Sequence, residues 1–186
     1  MCLHIGAPCA PAPEPRIAIT LAQAVLKSDK MDEVVRDAVM IGVAAIQPIL
    51  SSRTETSIDA LARGRRRERW QRIAVSSAKQ CGRAVVPPIH EPQPFPPRSS
   101  SELRCPQPVL VLVEPALSSG MSLGGLDVAI PDTATLMVGP EGGWSAEEVE
   151  AASALGSLIT IGQRTLRADA MGLVALAALF THWREF

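Results

Sequence analysis

The chain has 186 residues, 47% of them apolar, which is enough length and hydrophobic content for one globular domain with a real core. Its 18 basic and 19 acidic residues leave a formal charge of −1, so no global positive field marks it for nucleic acid, and any RNA surface has to come from local clustering. Cys2, Cys9, Cys81 and Cys105 form no C-x-x-C pair, against a zinc site or disulfide framework and in keeping with a reducing cytoplasm; no apolar run is long enough to span a bilayer, and the N-terminus lacks a signal peptide's basic start and continuous apolar core.

Residues 1–16 carry Pro8, Pro11, Pro13 and Pro15 and read as an extended or disordered lead-in. Residues 17–26 (IAITLAQAVL) begin as a strand. Ser28 or Asp29 is placed to cap a helix running to about residue 41, with Met31, Val34, Val35, Ala38 and Ile41 on one face and Gly42 as its stop. Residues 43–50 (VAAIQPIL) form the next strand. The strong basic cluster is 63–72 (RGRRRERWQR). Its Arg65, Arg66, Arg67 and Arg69 are either a solvated helix start or a phosphate-contacting surface, and the two readings weigh about evenly. The helix continues with Trp70, Ile73, Ala74 and Ser77 on its inner face. Residues 85–101, with Pro87-Pro88 and Pro96-Pro97, are a connector.

Residues 109–113 (VLVLV) are a buried strand ending at Glu114-Pro115, and 118–131 are glycine-rich with no clear element. A short apolar strand at 136–138 breaks at Gly139-Pro140-Glu141-Gly142-Gly143, where the chain can take unusual dihedrals and a ligand can approach the backbone. Ser145 is placed as an N-cap, Glu148 closes a capping box, Trp144 staples against Val149, and Gly156 is the matching C′ stop. Residues 158–161 are a strand that leaves through Gly162-Gln163-Arg164. Two tight loops thus sit at the same end of two neighbouring parallel strands, where open α/β sheets bind small ligands. GPEGG matches neither a Walker loop nor a dinucleotide fingerprint, and taken alone it is more simply a tight turn. Residues 168–183 are nearly all apolar: a helix greasy on all sides, buried or at an interface, and too short to cross a membrane.

GPEGGWSAEEVE followed by ITIGQRTLRADA resembles the C-terminal half of the RsmE-type ribosomal RNA uridine-N3 methyltransferases of the SPOUT superfamily. That family's loop usually reads GPEGG, and its later strand and loop read close to S-L-G-x-R-I-L-R-x-E-T-A. The resemblance begins near Ile17 and continues almost to Phe186. Lys27, Met31, Asp32, Gly42 and Val43 match an earlier family block, while Asp37, Val39 and Met40 replace its lysine, threonine and glutamate. The resemblance implies an α/β domain over 17–186, a SPOUT-type parallel sheet flanked by helices with a C-terminal trefoil knot. It also implies a homodimer with shared sites, the last helix lying at the interface. Full-length relatives carry a PUA-like RNA-binding domain first. Here a remnant stands in its place, so the domain is lost, the start is misassigned, or the chain was cut.

The same resemblance implies an S-adenosylmethionine pocket built from three loops. They contribute Val113 and Glu114; Met137, Val138, Gly139, Pro140, Glu141, Gly142 and Gly143; and Ile161, Gly162, Arg164 and Leu166, with Met137, Ile161 and Leu166 sandwiching the adenine. Gln80 and Arg83, in Gln80-Cys81-Gly82-Arg83, resemble the family's E-Q-S-G-R and carry over as RNA or active-site contacts; for Gln80, satisfying backbone groups at the helix end is the competing role. Uridine N3 must lose a proton to attack a methyl group, which calls for a base and for positive charge near the developing anion. Arg167 is assigned the charge. Asp169, where the family has Glu, is assigned as the base or as the residue that orients it, and Ala170-Met171 replace the family's Thr-Ala. Glu141 is expected either to contact the cofactor or only to shape its own loop by hydrogen-bonding local backbone N–H groups. No metal is implied. The function expected is methylation of N3 of a uridine in small-subunit ribosomal RNA, in the cytoplasm. The alternatives are a cofactor-binding, dimerising domain that has lost catalysis with its RNA-binding domain, and a SPOUT methyltransferase with another RNA substrate.

Overall fold

A computed structural model describes residues 6–7, 10–97, 105–117, 120–126 and 129–186. Cys2, Cys9 and Pro8 of the lead-in, the end of the proline-rich connector, and parts of the glycine-rich segment 118–131 lie outside the described residues. Seven strands form one sheet: β1 (Ala18–Ala24), β2 (Ala45–Leu50), β3 (Gln93–Pro94), β4 (Val109–Leu112), β5 (Met121–Ser122), β6 (Thr133–Val138) and β7 (Ser157–Thr160). Every pairing is parallel, in the order β3-β2-β1-β6-β4-β7-β5. Helices α1 (Lys30–Ile41), α2 (Ile58–Arg63), α3 (Arg66–Cys81), α4 (Ala146–Leu155) and α5 (Ala168–His182) cover the two faces.

A parallel sheet covered on both sides needs strands apolar at every position. The alternation of side chains then sorts them into two cores. Ile19 and Leu21, Leu110 and Leu112, and Leu136 and Val138 enter the larger core beneath α1, α3 and α5. Ala22 and Ala24, Val109, Val111 and Val113, and Met137 enter a smaller core with Trp144 and Ala152 beside α4. α5 buries Gly172, Ala175, Leu176, Leu179 and Phe180 and leaves Leu173 and Val174 exposed, so it is covered on one side only.

Several sequence expectations need correcting. The strands before the two glycine loops, β6 and β7, are not neighbours: β4 lies between them, paired to both. Asp29 occupies the N-cap of α1 without a side-chain capping bond, because its carboxylate accepts from Arg69 Nη2 at 3.2 Å. Gly42 does end α1 in the left-handed region, at φ 113°. Gly156 does not end α4 that way. Its backbone is extended, and what calls for glycine is space: a Cβ there would stand 2.1 Å from the Val109 carbonyl oxygen. The basic run does not lie on one helix, since Gly64 and Arg65 separate α2 from α3. The described end of the lead-in is fastened to the domain. Ala12 bridges to Arg83, and Arg16 pairs with Glu185 at 3.1 Å, joining the two ends of the described chain.

Candidate active site

The C-terminal ends of β4, β6 and β7 open onto one cleft of about 330 Å³. The order of strands reverses here: β1 leads outward to β2, and β4 leads outward to the far edge, which is where doubly wound sheets bind ligands. One wall runs from Leu112 to Pro115, a second from Val138 through Pro140 to Trp144, and a third from Thr165 to Ala168. Lys30 and Met171 complete the lining.

The capping box fixes the middle wall. Ser145 Oγ accepts from the Glu148 N–H at 3.2 Å, and the Glu148 carboxylate accepts from the Ser145 N–H at 2.8 Å. The other oxygen of that buried carboxylate accepts from the Ser52 N–H at 2.6 Å, tying α4 to the loop after β2. Trp144 lies over Gly139, donates its indole N–H to the Leu112 carbonyl at 2.8 Å and meets Phe95 edge-on, with ring centroids 5.2 Å apart. Val149 packs on the same cluster. One aromatic ring therefore fastens the first wall to the second. Gly143 has φ 69°, a conformation that favours glycine, and a Cβ on it would have to displace the exposed Glu114 carboxylate, whose Oε1 would lie 2.7 Å away.

Glu141 reaches beyond its own loop. It accepts from the Lys27 N–H at 3.1 Å and from Lys30 Nζ at 3.4 Å. Partial burial pushes this carboxyl up, but its own backbone N–H, that of Lys27 and the Lys30 charge outweigh the burial and hold it below the usual range. At the rim, Arg167 donates to both carboxylate oxygens of Asp169, at 3.1 and 2.8 Å, and the Ala170 N–H donates to one of them at 3.0 Å. The Arg167 side chain is 73% exposed and that of Asp169 15%. The guanidinium holds the Asp169 carboxyl below its ordinary value against the opposing effect of burial.

Val113, Glu114, Val138, Gly139, Pro140, Glu141, Gly143, Leu166 and Arg167 all line the cleft. Met137 does not, because strand alternation turns it into the smaller core, fully buried and on the opposite side of the sheet from Val138. Gly142 also faces away: its position opposes the Arg53 side chain, and its carbonyl accepts from Arg53 Nη1 at 2.6 Å. Ile161, Gly162 and Arg164 stand outside the lining, Ile161 against the larger core. Sequence reasoning missed Lys30, Leu112, Trp144, Ala168 and Met171, while Pro115 and Thr165 lie within the first and third of the loops it assigned to the pocket. Leu112 and Trp144 had a signal, since each flanks a named loop; Lys30 had none, because it comes from a different strand connection.

The family model for the RNA methyltransferase domain matches residues 13–180. The chain belongs to the RNA methyltransferase family. The chain is 34% identical over 167 residues to ribosomal RNA small subunit methyltransferase E of Synechocystis sp., covering 88% of this chain and 53% of the relative. Its match to the Mesomycoplasma hyopneumoniae protein of the same name is 30% identical, covering 88% and 69%. The chain therefore spans about half the length of the first relative and somewhat over two thirds of the second. The crystal structure of a ribosomal RNA small subunit methyltransferase E from Neisseria gonorrhoeae bound to S-adenosyl methionine superposes with a TM-score of 0.78 at 33% identity, covering 92% of this chain and 68% of that one.

The residues expected to bind RNA are placed apart from the cleft lining. Arg66 donates to the Ser28 carbonyl, Arg67 to the Ile89 carbonyl while pairing with Glu91, and Arg69 pairs with Asp29 and Asp32. Gln80 is exposed. Arg83 is only 5% exposed and donates to the Val39 and Val43 carbonyls while pairing with Glu14. That arrangement makes Arg83 a clamp between the end of α1 and the lead-in.

Proposed function

We propose that this chain carries the catalytic unit of an S-adenosylmethionine-dependent methyltransferase that acts in the cytoplasm on N3 of a uridine in small-subunit ribosomal RNA. The observation that carries the reading is the three-walled cleft at the strand-order reversal, with Arg167 at its rim. Its volume suits a nucleoside-sized group, and Leu112, Val113, Val138, Leu166 and Met171 offer apolar surface to a purine ring. The likeness to a structure holding S-adenosyl methionine supports the same assignment. When bound, that cofactor supplies a methyl group on a sulfonium.

The protein's part is to hold the attacking atom in line and to favour the anion that attacks. Arg167 is exposed at the cleft rim, open to an RNA base, and is aimed by its forked contact with Asp169. A carboxyl held below its ordinary value is a weak proton acceptor, so Asp169 orients Arg167, and Arg167 stabilises the uracil anion once the N3 proton has left for water. The segment Thr165 to Ala168, pinned beside the other two walls, is where a trefoil knot would hold the pocket rigid. The uncovered face of α5 supports homodimerisation.

Two measurements test the proposal: calorimetry with S-adenosylmethionine, and transfer of a labelled methyl group to small ribosomal subunits followed by mapping of the modified nucleotide. Binding with transfer to a uridine N3 is expected. Binding without transfer would identify a cofactor-binding domain that has lost catalysis, and transfer to another position would identify a different RNA substrate.

A further inference from the structure

The loops that leave β1 and β2 enclose a second groove, of about 310 Å³, beside the cleft. Lys27, Ser28, Glu55, Thr56 and Arg66 line it. The Lys27–Glu141 contact is a shared wall, since the Lys27 N–H holds a carboxylate that lines the cleft itself. The Lys27 ammonium is half exposed and pairs with Glu55, which is 65% exposed. The Arg66 guanidinium reaches across to the Ser28 carbonyl at 3.3 Å. This groove therefore presents two cations, one of them covered by a loosely held carboxylate, one loop away from the cleft. An ion pair so exposed is weak and exchanges readily.

Resting on the methyltransferase reading above, we propose that this groove seats a backbone phosphate of the RNA strand whose nucleotide occupies the cleft. Lys27 and Arg66 bind the phosphate, and it replaces the Glu55 carboxylate on Lys27. Phosphate contacts of this kind fix register and leave sequence to the base contacts. Glu55 is then a stand-in that keeps Lys27 in place until RNA arrives.

The test is the salt dependence of binding of a labelled single-stranded oligouridylate to the intact chain. A phosphate contact on a single strand contributes about −0.7 to the slope of log K against log salt. Lys27→Ala and Arg66→Ala together are expected to shrink the slope by roughly that amount and each alone by part of it, Arg66→Lys to restore most of the Arg66 share, and Glu55→Gln to tighten binding roughly two- to five-fold. S-adenosylmethionine affinity, measured on the same variants, is expected to stay at the wild-type value. A wild-type slope in the double alanine variant, or no salt-dependent RNA binding by the wild type, would overturn the proposal. Failure of the wild type to bind the cofactor would instead overturn the methyltransferase reading.

Discussion

Two adjacent glycines in one loop have opposite environments, and that difference can be measured. Gly143 sits at φ 69° with Glu114 Oε1 where a Cβ would go, while Gly142 faces the flexible Arg53 side chain at 3.3 Å. Gly143→Ala is expected to cost about 1–2 kcal/mol of backbone strain at its positive φ and to turn the exposed Glu114 carboxylate aside, weakening S-adenosylmethionine binding measurably by calorimetry. Gly142→Ala is expected to stay within about threefold of wild type, because a surface arginine can yield. Equal losses in the two would mean that the loop rearranges as a unit. At the rim, Arg167→Ala is expected to lower methyl transfer by roughly 10²–10³, the usual cost of deleting a donor to a developing anion, with cofactor affinity nearly unchanged. The pH dependence follows from the sign of the Asp169 shift. Its folded value lies below the unfolded one, so the contribution of the pair is complete above the ordinary carboxylate range and is lost only as pH falls through the depressed value. The Arg167–Asp169 contact is therefore constant between pH 6 and 9. Asp169→Asn should lower the rate without changing the shape of the profile over that range, where the titrating group is the uracil N3–H. A limb that vanishes in Asp169→Asn would make Asp169 the base.

At the scale of elements, what could be read from sequence was what is local. The capping box of Ser145 and Glu148, the αL stop at Gly42 and the strand runs of β1, β4 and β6 are each written in at most seven consecutive residues. Lateral order was not legible, because β4 enters between β6 and β7 through pairings to segments 25 and more residues away. The facing of Met137 was recoverable from alternation once Val138 was assigned to the cleft, yet the apolar run looks the same from both sides. Gly156 shows a signal read correctly for existence and wrongly for cause. The residue ends α4, but the reason is the Val109 carbonyl 2.1 Å from where a Cβ would stand, a contact no local pattern reveals. Gly156→Ala is thus expected to destabilise the fold by about 3 kcal/mol through overpacking against backbone, read as a shift in the denaturation midpoint. A substitution neutral to within 0.5 kcal/mol would mean that α4 and β4 separate easily, and that the Trp144 contact to Leu112 is not the rigid joint described above.

At the scale of the molecule, α5 is covered on one side only. One side of this helix packs on the sheet and on α1, through Ala175, Leu176, Leu179 and Phe180. Ala170, Leu173, Val174 and Ala177 recur at helical spacing on another side, where Leu173 is 37% exposed and Val174 38%. The stripe starts one turn beyond Arg167, so a partner seated on it would stand at the rim of the cleft. A second copy of the chain is the occupant we propose, since a twofold pairing of this stripe with itself needs no further surface chemistry and would place two clefts along one seam. No helix among the described residues is long and apolar enough to cross a membrane, so α5 does not owe its apolar face to a transmembrane role. Val174→Glu places a charge in the middle of the stripe without touching the buried side. It is expected to convert a dimer to a monomer in light scattering, to leave the thermal midpoint of the isolated fold within a few degrees, roughly the effect of 1 kcal/mol, and to lower methyl transfer if each site is completed by its partner. A wild-type chain that scatters as a monomer at tens of micromolar would remove the dimer, and with it the reading of α5 as an interface.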